Sequence, residues 1–250
     1  MKNKILKGIA VLCALTCAIA VFQIVKTQYQ YKAGEQAYND LALNTVTLSA
    51  ADDYTSAGDG TGAPIDVNFE LLQEMNAGAV GWLYCPGTPI NYPVLQSTDN
   101  EYYLKHLYNG QNNSSGAIFM DAMNSPDLSN INTIIYGHNM KNGSMFASLQ
   151  NYSEWWYYQQ HPALYYLTED RDYRIDVFAC YPSSGISEAY TINFDSAETY
   201  MNYLSGTWSR SETSITDVPM STDDNIMTLV TCTGYNNDRY VVQGKITPIN

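Results

Sequence analysis

Basic side chains are scarce: 12 lysines and arginines stand against 25 aspartates and glutamates. Four of the 12 (Lys2, Lys4, Lys7 and Lys26) flank the first apolar run and no acid does, so the remainder carries 8 minus 25, or −17. Nucleic-acid binding rests on Lys and Arg neutralising phosphates, so this balance argues against nucleic acid as a partner. Histidine is rarer still, with three in the chain. No Cys/His cluster has zinc spacing and no stretch reads as an EF-hand loop, so neither a metal nor another cofactor is expected. Of five cysteines, Cys13 and Cys17 lie in the apolar run, which leaves Cys85, Cys180 and Cys232. An odd number cannot pair completely even in an oxidising compartment. Cys85 and Cys180 fall in β-like runs and read as small buried hydrophobes. There is no internal repeat.

What is present begins with charge-free residues from Gly8 to Val25. These 18 residues reach about 27 Å at roughly 1.5 Å each, close to the roughly 30 Å hydrocarbon core of a bilayer. The lysines before them place residues 1–7 in the cytoplasm, 8–25 as a single membrane span and everything later outside the cell. The competing reading is a secretory signal cleaved after Ala18-Ile19-Ala20. Cleavage there would leave apolar residues as far as Val25 on the new terminus, whereas an uncleaved anchor explains the whole run. Residues 26–64 divide into a helix-compatible stretch, Tyr29 to Asn44, with Ala33, Ala37, Leu41 and Leu43 as its apolar positions, and a flexible acidic linker, Ala50 to Ala63.

Residues 65–250 read as one mainly β domain with added helices. A short helical pattern (Phe69, Leu71, Leu72, Met75) opens it. Eight β-like runs follow, each bounded by Gly, Pro, Asn or Asp: Val80 to Tyr84, Ile90 to Leu95, Ala117 to Met120, Ile131 to Tyr136, Ala163 to Thr168, Tyr173 to Tyr181, Ile226 to Cys232 and Tyr240 to Ile246. Eight short strands predict a barrel or sandwich. Helical pieces interrupt them at Ser144 to Gln160 and Ala197 to Trp208.

Three residues stand where chemistry can be done. Thr228-Leu229-Val230-Thr231-Cys232 is a β-patterned run that stops at its thiol, next to the turn-forming Gly234 to Asp238. Arg239 opens the following run, so two strands joined by this loop place thiol and guanidinium at one rim; a guanidinium stays protonated and offers several donors to a developing oxyanion. His138 ends another strand, in Tyr136-Gly137-His138-Asn139-Met140. A thiol and an imidazole far apart in sequence form a reactive pair only if the fold unites them. His106 and His161 read as helix-end residues.

These motifs resemble the class B sortases of Gram-positive bacteria. The resemblance runs from about Ile65 to Lys245 and is carried by Tyr136 to Phe146, by Thr228 to Cys232 and by Arg239-Tyr240-Val241-Val242. Gly81 to Thr88 and Tyr92 to Gln96 support it. Cys85 departs from an expected aliphatic residue, and the loop between Cys232 and Arg239 is short. The resemblance implies an eight-stranded sortase-type barrel with N-terminal helices and a helix before the penultimate strand. It implies His138, Cys232 and Arg239 as catalytic residues, and Asn100, Leu104, Tyr190, Thr231 and Thr233 as substrate-binding, Thr233 through its backbone N–H. The implied partners are a sorting-signal peptide of Asn-Pro-x-Thr type, cut after Thr, and a peptidoglycan amine of the cell wall. Two other readings stay open: a cysteine peptidase that mainly hydrolyses its thioester, and a catalytically silent, tyrosine-rich surface binding module. A pilus-polymerising enzyme fits less well, since no second span follows the domain.

Overall fold

A computed structural model describes residues 2–49, 62–234 and 238–249. Most of the expected linker, residues 50–61, and Tyr235 to Asn237 of the turn after the Cys232 strand lie outside the described residues. The chain opens with a single helix, α1 (Lys2–Thr45), about 66 Å long at 1.5 Å per residue. Its apolar half is exposed throughout, which is compatible with insertion in a bilayer.

The second half of α1 behaves differently. Gly34, Tyr38, Leu41 and Thr45 are buried, at steps of four, three and four residues that form one helix face. The Tyr38 hydroxyl donates to the Gly116 carbonyl at 2.7 Å, and its ring meets that of Tyr92 edge-on, 5.3 Å between centroids. Asn113 Nδ2 donates to the Gln30 carbonyl at 2.9 Å. The helix expected from Tyr29 to Asn44 therefore exists, but it is continuous with the apolar run and packs on the domain instead of standing free. Leu43, read as one of its apolar positions, is exposed.

After α1, β1 (Val46–Leu48) and β2 (Ile65–Val67) pair as an antiparallel ribbon. Three residues are too few for a sequence period to register. Helix α2 (Phe69–Met75) follows, capped by Asn68, whose Oδ1 accepts the Leu71 N–H at 3.0 Å.

The domain itself is built on eight strands: β3 (Ala79–Tyr84), β4 (Asn91–Leu95), β5 (Ile118–Met120), β6 (Asn132–Tyr136), β7 (Ala163–Leu167), β8 (Asp172–Ser183), β9 (Ile226–Cys232) and β10 (Arg239–Ile249). They close into a barrel in the order β10-β8-β7-β3-β4-β5-β6-β9, which leaves no edge to pair with another chain. These are the eight expected runs with ends moved by a few residues. Trp82, Leu83, Val94, Leu95 and Tyr166, on both faces of its wall, have no exposure.

Two helical regions sit outside. Residues 147–153 form a 3-10 helix and α3 (Trp155–Gln160) continues it after a break at Glu154, whose backbone is extended (φ −97°, ψ 122°). The expected single helix is thus two short ones. Helix α4 (Ala197–Arg210), just before β9, buries Tyr200, Tyr203, Leu204 and Thr207, the i, i+3, i+4, i+7 stripe of an amphipathic helix, against Phe178, Tyr181 and Val241. Between β8 and α4 the chain is tied to the barrel by buried Asn132. Its Nδ2 donates to the carbonyls of Ala189 (3.1 Å) and Thr191 (2.9 Å), while its Oδ1 accepts the Thr228 hydroxyl at 2.6 Å. Tyr190, between the two carbonyls, is held in place by that amide.

Candidate active site

The site forms because two strands distant in sequence run parallel. β6 pairs with β9 with Tyr136 opposite Val230, so their C-terminal ends reach the same rim. Continuing that register by two residues brings His138 level with Cys232. Gly137 N–H donates to the Val230 carbonyl at 3.1 Å, which extends the pairing past the strand end. Gly137 is needed for room: a Cβ there would overlap Ile118 and Phe146.

Cys232 and Arg239 face each other across the β9–β10 hairpin as direct cross-strand partners, and such side chains start about 4.5–5.5 Å apart on one face. Both are half-buried. His138, Cys232 and Arg239 line one cavity of about 290 Å³, and Asn100, Leu104, Tyr190 and Thr231 line it as well. The Thr231 hydroxyl is buried with no hydrogen-bond partner among the described residues. Thr233 is placed differently. Its N–H donates to the Asp238 carbonyl at 3.0 Å and closes the hairpin, so an oxyanion role would require that bond to give way. The cavity lining includes five further residues that sequence reasoning did not select as site residues: Phe119, Tyr136, Gly137, Gly185 and Val230.

The imidazole of His138 is oriented by the opposite wall. Its Nε2 lies 2.8 Å from the Leu104 carbonyl. A carbonyl oxygen only accepts, so Nε2 carries a hydrogen and Nδ1 is the nitrogen left to gain or lose a proton. Burial pushes the Tyr136 hydroxyl well above its ordinary value, with the Asp121 carboxylate adding to the rise. Burial also raises Tyr190, while Arg239 opposes the shift. Both phenols are therefore neutral hydrogen-bonding groups near neutral pH.

The sortase domain model matches residues 83–247. Sortase B of Listeria monocytogenes is 37% identical over 223 residues, covering 86% of this chain and 89% of that protein. Sortase B of Staphylococcus aureus is 32% identical over 185 residues, covering 73% of this chain and 75% of that protein. The chain belongs to the sortase family, in its class B branch. Among solved structures, sortase B of B. anthracis in complex with AAEK1 superposes with a TM-score of 0.74 at 31% identity, covering 88% of this chain and 99% of that one. A Staphylococcus aureus sortase B–substrate complex gives 0.70 at 32% identity, covering 73% and 85%. Sortases are cysteine transpeptidases of the cell surface acting on proteins with sorting signals. The silent binding module is thereby set aside.

Asn139 ties the His138 and Cys232 segments together. Its Nδ2 donates to the Cys232 carbonyl at 2.8 Å, and Gln150 Nε2 reaches the same oxygen at 3.4 Å. Position next to His138 was the only sequence signal for Asn139; Gln150 had none. The other two histidines serve structure. His106 stacks on Tyr102, 4.2 Å between centroids, and His161 Nδ1 lies 2.9 Å from the Pro86 carbonyl.

Cys85 and Cys180 are buried, and burial pushes the Cys85 thiol up to about 11. Thiolate and access both govern alkylation. In the folded protein a water-soluble maleimide at pH 7.5 should therefore label Cys232 and spare Cys85 and Cys180 until denaturant is added. Peptide mapping by mass spectrometry checks this, and early labelling of Cys85 would mean the barrel opens locally.

Proposed function

We propose that this sortase cuts an Asn-Pro-x-Thr-type sorting signal after its Thr and joins the new carboxyl end to a peptidoglycan amine of the cell wall. The observation that carries the reading is the convergence of His138, Cys232 and Arg239 on one cavity with Asn100, Leu104, Tyr190 and Thr231 around them. The Cys232 thiolate attacks the Thr carbonyl, forming the C–S bond and an oxyanion. Arg239 stabilises that oxyanion; loss of a donor of this type costs roughly 10²- to 10³-fold. The oxyanion collapses, the C–N bond breaks and protonated His138 gives the departing amine its proton from Nδ1. The thioester then meets the acceptor amine, His138 takes a proton from it, and the thiolate leaves as the new amide forms. Thr231 forms part of the cavity wall against which the peptide packs. Residues 1–7 lie in the cytoplasm, 8–25 cross the membrane once, and the domain faces outward.

The test uses the full chain in detergent with quenched peptides randomised around Asn-Pro-x-Thr-Gly, with and without a peptidoglycan stem peptide bearing a free amine, and the Cys232→Ala protein as blank. Cleavage after Thr with an amine-joined product is the expected result. Cleavage that proceeds equally in water alone favours the peptidase, and selection of a different sequence overturns the signal.

A further inference from the structure

Asp121 lies one residue past β5, level with Ile134 of β6, whose carbonyl accepts its N–H at 2.9 Å, and is only 7% exposed. No lysine or arginine pairs with it among the described residues. A buried carboxylate without a cation must be satisfied by hydrogen bonds, or its burial is costly. Asp121 has three. Its Oδ1 accepts the Met123 N–H at 2.9 Å. Its Oδ2 accepts both Asn100 Nδ2 and the Tyr136 hydroxyl, each at 2.8 Å. The first of these bonds is local to the turn. The other two reach side chains that line the peptide cavity from different segments, the loop after β4 and the end of β6.

Because a carboxylate only accepts, it also fixes the polarity of both groups. The Tyr136 hydrogen points to Asp121, so its oxygen meets any other partner as an acceptor. The Asn100 amide is locked in one orientation, since its Oδ1 accepts the Ala122 N–H at 2.8 Å while its Nδ2 faces Asp121. One N–H of Asn100 is then left to donate. We infer that Asp121 is a positioning residue for peptide recognition, holding Asn100 and Tyr136 so that the wall presents a fixed donor and a fixed acceptor to the bound signal. The inference rests on the transpeptidase site described above and extends it to a residue that need not touch the peptide.

The isosteric change Asp121→Asn keeps the shape and presents an NH₂ or a single acceptor to two donors, so the wall must rearrange. Each lost bond is charge-assisted, and KM for the signal peptide should rise about tenfold or more, with kcat changed by less than about threefold and alkylation of Cys232 by iodoacetamide unchanged. Tyr136→Phe should also raise KM, and the two substitutions together should raise it by less than the product of their separate effects, because each removes the bond between Asp121 and Tyr136. The peptide is whichever one the wild type cleaves best from a library open at every position, so the outcome does not depend on Asn-Pro-x-Thr being the signal. An unchanged KM, a loss confined to kcat, or additive effects of the two substitutions overturns the inference. Should Asp121→Asn fail to fold, Asn100→Ala and Tyr136→Phe serve instead. Asp121 links those two residues, so non-additive KM changes support the role and additive changes overturn it.

Discussion

Replacing His138 by alanine is expected to lower kcat for amine transfer by about 10²- to 10⁴-fold, the span typical of a positioned proton-transfer group. The Leu104 carbonyl holds the Nε2–H, so the proton that matters is exchanged at Nδ1. This makes His138→Gln informative beside His138→Ala. A glutamine amide nitrogen can occupy the Nε2 position and keep the bond to Leu104, yet it offers nothing that titrates. If the imidazole acts as acid and base, both variants lose a similar factor in single-turnover acylation and in transfer to the amine. If it only braces the loop, the glutamine variant keeps most of the rate. The measurement therefore separates proton transfer from support, which loss of activity in the alanine variant alone would not.

The second large effect concerns stability. Truncating a buried large aromatic side chain costs about 3–5 kcal/mol when the cavity does not collapse, and Tyr38 on α1 is 3% exposed. Tyr38→Ala in the full chain should lower the unfolding free energy by that order in a urea titration followed by tyrosine and tryptophan fluorescence. Its loss also removes the bond to the Gly116 carbonyl. Gly116 abuts the His138 ring, for a Cβ there would lie 3.1 Å from its Cδ2. Activity should therefore fall before global unfolding, as denaturant is raised. A change below about 1 kcal/mol would mean that the helix contributes little to the domain.

Much of the barrel was legible because its strands are short, β-rich and punctuated by turn residues, and because Cys232, Arg239 and His138 each stand at a strand end. Their meeting was less legible. Period-2 alternation is the same for parallel and antiparallel neighbours, so nothing local announces that β6 lies parallel to β9. Asp121 was invisible for another reason: a single aspartate after a strand reads as a turn residue until its three donors are seen. On α1 the apolar pattern was right for Leu41, which is buried, and missed Tyr38, while Leu43 is exposed. Thr233 was read through a motif, but its N–H closes the hairpin.

The parallel pairing of β6 with β9 has a consequence for how the protein matures. The bond between Asn139 and the Cys232 carbonyl closes a loop of 93 residues, with β7, β8 and α4 inside it. Contacts of such long sequence separation form late, because the chain entropy of loop closure must be lost before they can stabilise anything. Cys232 and Arg239 themselves sit on the last two strands. A newly made chain therefore carries the Cys232 thiol with no His138 imidazole beside it. Closure of the barrel is what brings the two together, so the proposed transpeptidase activity belongs to the folded state alone.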